Sequence, residues 1–240
     1  MKGNGVGRSV ELLKAFRLEQ SAPEVFYGAL AHDTASMIAR HRPLEGALVL
    51  DAGSGPRQFA ETFTAAGARY IGIDHDESAL DPITNPRAHA LVADARAIPL
   101  ADRCVDIAYS SNVFEHVKAP EQLGDELVRV TRPGGLIVVS YTNWLSPWGG
   151  HETSPYHYLG GERAIERYTQ RHGRAPKNRV DVTLFRTSVA QGLRWARTQR
   201  DAELIEARPR YYPGWTSWLV RVPAAREVLT WNLWMTLRRR

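Results

Sequence analysis

The stretch Ala47-Leu48-Val49-Leu50-Asp51-Ala52-Gly53-Ser54-Gly55-Pro56 limits the fold of this chain more than any other. Its apolar run is continuous rather than alternating, which marks a strand covered on both faces, and Gln58 to Ala66 behind it has the composition of a helix. A strand that turns on glycines into a helix is the frame of a nucleotide pocket, because a Cβ at either glycine would obstruct a ligand approaching the backbone. A dinucleotide turn reads Gly-x-Gly-x-x-Gly and holds a pyrophosphate at the helix N-terminus. Here Asp51 precedes the first glycine and Arg57 stands where a third would be. A carboxylate at that point repels a pyrophosphate and suits a cationic amino group, which points to S-adenosylmethionine.

Two further runs repeat the pattern. Tyr70-Ile71-Gly72-Ile73-Asp74 is a second strand ending in an acid, about twenty residues on, where a ribose-binding carboxylate belongs. Ala90-Leu91-Val92-Ala93-Asp94-Ala95 is a third. With these blocks the chain resembles the class I S-adenosylmethionine-dependent methyltransferases. The resemblance continues through Ile98-Pro99-Leu100, Asp106-Ile107-Ala108-Tyr109-Ser110-Ser111-Asn112, Phe114-Glu115-His116-Val117 and Arg132-Pro133-Gly134-Gly135-Leu136. It implies a Rossmann-like α/β fold with a seven-stranded, mostly parallel sheet, an antiparallel last strand and an insertion after the fifth strand. It also implies that Gly53 and Gly55, with Asp51, hold the methionine part of S-adenosylmethionine, that Asp74 binds the ribose, and that Asp94 with Ala95 faces the adenine. His75, Ser111, Asn112 and His116 complete the expected cofactor site.

A chain of 240 residues can bury one sizeable core, and a single methyltransferase domain over residues 1–240 is expected. Within it, 1–46 would form cap helices, 47–143 the cofactor half, 144–180 an acceptor-binding insertion and 181–240 the rest of the sheet. The lone Cys104 excludes an internal disulfide and reads as a packed thiol opening a strand. Without a signal-like or membrane-length apolar run, a cytoplasmic protein with no membrane partner is expected. The formal charge of +5 comes mostly from dispersed arginines, with only Arg238 to Arg240 adjacent. No nucleic-acid partner is expected, since Ser110-Ser111-Asn112-Val113 stands where base-amine methyltransferases carry an Asn/Asp-Pro-Pro-aromatic signature. A homodimer is left open.

Along the chain, Met1 to Gly7 reads as a mobile start, Ser9 as the cap of a helix to Glu19, and Ser21 with Pro23-Glu24 as the start of a helix to His41. Phe26, Leu30, Met37 and Ile38 supply its apolar face, and Tyr27 is a candidate pocket residue. A short helix should break at Asp81-Pro82. Strands are expected at Cys104–Ser111 and Leu136–Thr142 and helices at Pro120–Val130 and Gly161–Arg174. Asp181–Phe185 reads as extended, Thr187-Ser188 as a capped helix start, Glu203–Tyr211 as a strand, Trp215–Val228 as mostly helical and Thr230–Leu237 as the closing strand.

Between them, Trp144 to Gly161 is too rich in glycine, proline and aromatics for a regular element and too apolar for a linker. It leaves the carboxyl end of a central strand, the edge where open α/β sheets bind ligands, and reads as an acceptor loop. His151, beside Glu152, is the first candidate for a general base and His157 the second. These three could also orient hydroxyls around a divalent cation, but their spacing matches no defined site and no metal is predicted. Trp144, Trp148 and Tyr156, with Tyr158, offer ring faces for a flat acceptor or for packing of the loop itself. The loop and tail are similar to sugar O-methyltransferases of the actinobacterial methylated-polysaccharide pathways. That likeness implies a small acceptor, foremost a sugar or oligosaccharide, methylated on oxygen. A lipid-like or aromatic acceptor and a non-catalytic cofactor-binding module are the alternatives.

Overall fold

The computed structural model describes residues 5–18, 21–55, 58–77 and 85–240. Pro56, Arg57, the helix end at Glu19 and the break at Asp81-Pro82 lie outside the described residues, as does most of the start read as mobile.

The elements in chain order are α1 (Val6–Phe16), α2 (Pro23–Ala39), β1 (Leu48–Ala52), α3 (Gln58–Ala65), β2 (Arg69–Asp74), β3 (Ala88–Val92), β4 (Val105–Ser111), α4 (Pro120–Val130), β5 (Thr131–Thr142), α5 (Gly161–His172), α6 (Val189–Thr198), β6 (Ala202–Pro209), α7 (Ala225–Leu229) and β7 (Asn232–Arg239). Seven strands form one sheet in the order β3-β2-β1-β4-β5-β7-β6. The neighbours from β3 to β5 are parallel, whereas β7 runs antiparallel to both β5 and β6.

The uninterrupted apolar runs follow from this layering. On one face Leu50, Ala108, Ile137 and Val139 pack with Leu123 and Leu127 of α4 and with Val189 and Leu193 of α6. On the other, Val49, Tyr70, Ile107, Tyr109 and Val138 pack against Leu12 of α1, Leu30 and Ile38 of α2, and Phe63 of α3. Successive side chains alternate between faces, and since both faces are covered each must be apolar.

Several local expectations are corrected. Helix α1 begins at Val6 behind Gly5, so Ser9 lies inside it, and Ala22 rather than Ser21 precedes α2, without a side-chain cap. The Ser21 hydroxyl instead donates to the Leu18 carbonyl. Cys104 is exposed, because it precedes β4 and is fixed by its backbone N–H to the Val130 carbonyl (2.8 Å) rather than by packing. Strand β5 starts at Thr131, and Arg132 to Gly135 form an irregularity opposite the register shift between Val105 and Ile107. Residues 181–183 are a turn closed by the Val180–Leu184 bridge, so 181–185 is not one extended segment. Trp231 precedes β7, and the 215–228 segment divides into a 3₁₀ stretch, Gly214–Arg221, and α7.

A buried ionic system ties α1 over the carboxyl edge of the sheet. Both oxygens of Asp33 in α2 accept from the Arg8 guanidinium (2.5 and 2.6 Å), which also donates to the Arg210 carbonyl (2.9 Å). Arg210, fully buried, reaches Ser111 and Ser140 (both 2.7 Å) and Thr34 (2.5 Å). Helix, central strands and the chain after β6 thus share one polar cluster.

Candidate active site

The carboxyl ends of β1, β2 and β4 place Gly53, Asp74 and Ser111 along one edge of the sheet. Gly53 adopts φ +82° and a Cβ there would meet Val113 Cγ2 at 2.3 Å, so the turn after β1 tolerates only glycine. Gly55, φ +46°, has open space where a side chain would be, and its N–H donates to Asp74 Oδ2 (3.3 Å). A bare backbone facing open space beside a carboxylate is a cradle of the kind a cationic nucleoside requires.

Asp51 is buried and accepts from the Tyr70 hydroxyl (2.8 Å). Burial pushes its carboxyl up to about 7, the Tyr70 hydrogen bond opposing and Asp74 reinforcing the shift. Asp74 is mostly buried and also accepts from the Asp76 N–H (3.1 Å), whereas the neighbouring His75 ring is largely exposed. Asp94 lies two residues beyond β3 with its carboxylate held by the Arg96 fork, a bond that keeps it below the usual carboxylate range. Ala95 next to it is half-buried and packs on the core. Asn112 has φ +55°; its N–H donates to the Ser140 carbonyl (2.7 Å) and its Oδ1 accepts from Asn232 (2.8 Å).

The candidate bases separate. His151 turns toward the sheet, with its Nε2 3.1 Å from His116 Nε2 and the two rings at 83°. His116 Nδ1 faces the Thr183 carbonyl at 2.7 Å and must donate to it, which leaves Nε2 of the neutral ring as an acceptor. With that tautomer of His116, His151 Nε2 is the donor of the pair; its Nδ1 is buried and makes no hydrogen bond, with the Gly149 and Trp148 backbone beside the ring. Burial, with His116 adding, holds the His151 imidazole down to about 4, so it is neutral at physiological pH. His151 also has φ +51°, a strained backbone for a residue with a Cβ.

Glu152 turns to Asn178 instead, accepting from its backbone N–H (2.6 Å) and side-chain amide (2.8 Å); burial opposes the charge, yet these bonds hold the carboxyl below its ordinary range. His157 is buried edge-on to Trp144 (5.1 Å), and a Cβ at Gly150 would strike its ring. The group His151, Glu152 and His157 weighed for a cation is thus dispersed. A different set, Glu115, His116 and His151, brings its ligand atoms within 4.8 Å of one another. Glu115 is fully buried, accepts from the Thr142 N–H (2.9 Å) through one oxygen and has no partner on the other; burial pushes its carboxyl up.

The aromatic candidates also divide. Trp144 packs on His157, with the Arg186 guanidinium 5.5 Å from its ring centre. Tyr156 accepts from Arg171 (3.1 Å), and Tyr27 packs on Phe26 at the rim of the α1–α2 cluster. Trp148, 40% exposed, stands edge-on to both Phe16 and Trp231 and lines a cavity of about 150 Å³ with Ser9, Leu12, Leu13, Phe16, Tyr211, Tyr212 and Trp231. Apart from Trp148, sequence reasoning missed this cavity; the apolar spacing along α1 was its signal.

Residues 50–139 match the family model described as a methyltransferase domain. An uncharacterized methyltransferase of Mycobacteroides abscessus is 51% identical over 97% of this chain and 94% of its own. The chain belongs to the S-adenosylmethionine-dependent methyltransferases. Among solved structures, such an enzyme from Mesorhizobium loti matches with TM-score 0.59 at 19% identity, over 86% of this chain and 98% of its own. A putative one from Listeria monocytogenes gives 0.61 at 14%, over 88% and 99%, and both likenesses are of fold. The methyltransferase's cofactor is S-adenosylmethionine, for which the bare Gly53–Gly55 turn and the adjoining acids are chemically suited.

Proposed function

We propose that this methyltransferase acts on an oxygen nucleophile, a hydroxyl of a small acceptor, with His151 as the base and His116 fixing its tautomer. The observation carrying this reading is the apposed imidazole pair, with His151 Nδ1 buried and making no hydrogen bond. S-adenosylmethionine, when bound, would supply the methyl group and its sulfur would keep the electron pair of the broken sulfur–carbon bond. The hydroxyl proton passes to His151 Nδ1, and the imidazolium so formed donates through Nε2 to His116, whose own Nδ1–H is anchored on Thr183. Gly53, Gly55, Asp51 and Asp74 hold the methionine and ribose parts, with Asp94 and Ala95 on the adenine side.

Two acceptor classes suit this site. The sugar reading is supported by the partly exposed Trp148 ring, a face on which a pyranose can stack. The lipid-like or aromatic reading is supported by the cavity beside that ring, whose walls carry almost no polar atoms, and the wall chemistry favours it. Replacing His151 by Asn should lower kcat by about 10²- to 10⁴-fold with donor affinity retained, the range a placed base supplies. Undiminished kcat would remove the reading.

A further inference from the structure

We infer that the cavity beneath α1 is the acceptor subsite and that it takes a single aromatic ring bearing one hydrogen-bonding substituent. This rests on the hydroxyl-methylation reading above and names its substrate class.

Four segments far apart in sequence build the cavity: Ser9, Leu12, Leu13 and Phe16 from α1, Trp148 from the loop after β5, Tyr211 and Tyr212 from the chain after β6, and Trp231 from the entry to β7. Its volume is about 150 Å³, room for a benzene-sized guest, and it opens to solvent beside Leu13 and Trp148, both exposed. The wall rings meet edge to face, Phe16 on Trp148 at 63°, Trp148 on Trp231 at 83° and Tyr212 on Trp231 at 74°. Such a frame suits another planar ring, which can add its own edge-to-face and offset contacts. A pyranose would leave several hydroxyls against these walls without partners, at a cost for each.

One polar atom stands out in this lining. The Ser9 hydroxyl is buried and makes no hydrogen bond, which is costly unless a ligand satisfies it. It therefore selects a ring with a single substituent able to donate or accept. The cavity is also tied to the base: the His151 N–H donates to the Trp148 carbonyl (2.9 Å), so one turn of chain carries both a cavity wall and the proton acceptor.

The test is calorimetric titration of the whole chain with phenol, benzene and methyl glucoside, without any donor present. Phenol should bind saturably at one site and benzene about three- to tenfold more weakly, the worth of one neutral hydrogen bond. Ser9→Ala should bring phenol down to the benzene value while leaving benzene unchanged. Leu13→Trp, at a partly exposed position that can fold, should abolish both. Absence of saturable phenol binding, phenol binding insensitive to both substitutions, or preference for methyl glucoside would each overturn the inference. Failure of the hydroxyl-methylation reading appears separately: phenol binding as stated, with labelled methyl entering nitrogen or carbon of extract compounds, leaves the subsite standing and removes the reaction assigned to it.

Discussion

At the scale of single residues, two perturbed groups bear on the proposed chemistry. His151 is held near 4 by burial and by His116, so protonation of the free enzyme removes the base only toward that pH. At saturating donor, kcat should stay level from about pH 6 to 8 and fall as the pH approaches 4, in a profile that His151→Asn loses. Asp51 moves the other way. Its folded carboxyl titrates at about 7, above its unfolded value, so the stability tied to its proton is complete below the unfolded value and lost as pH rises through 7. An Asp51→Asn variant cannot ionise there, so its Tm should gain on the parent between pH 5 and 8, scanned without ligand. Donor affinity in the parent should tighten over the same interval as the carboxylate forms to meet a cation. A Tm difference independent of pH would show that Asp51 is already ionised.

Among the elements, α1 forms one wall of the aromatic cavity proposed as the acceptor subsite and is tied down by the buried Arg8–Asp33 pair. Arg8→Ala leaves Asp33 a buried charge without its partner, expected to cost about 3–5 kcal/mol. Hydrogen exchange should show that loss in α1 and α2 first, and uniform protection loss across the sheet would contradict a local tie. Whether an element could be read from the sequence tracks how local its cause is. Strand β1, the glycine turn and α4 are set by apolar runs, glycines and Pro120, and they fall where those signals stand. The pairing of His116 with His151 depends on a loop folding back between residues 35 positions apart, and no periodicity encodes that. Glu152 was a candidate because it adjoins His151 in sequence, but an adjacent residue in a 3₁₀ turn points elsewhere, and Asn178 holds it.

For the whole molecule, a sheet covered on both faces was legible from the apolar central strands, and its seven strands with an antiparallel last one from the resemblance, whereas the strand order is the structure's own. The aromatic cavity was not, since four separated segments build it and none is distinctive alone. Among the described residues no helix is long and apolar enough to cross a membrane. The cluster of Glu115, His116 and His151 bears on the reaction as a whole: as a proton-transfer unit it should work unchanged after exhaustive chelation, and loss of turnover restored by a divalent ion would reassign it. The most direct measurement is transfer of labelled methyl from S-adenosylmethionine into fractionated extract, by the parent and by His151→Asn. Label should enter an apolar, ring-bearing hydroxyl compound and fall by about 100-fold or more in the variant at unchanged donor affinity. Label on nitrogen or carbon, or label undiminished in the variant, would contradict the role given to the imidazole pair.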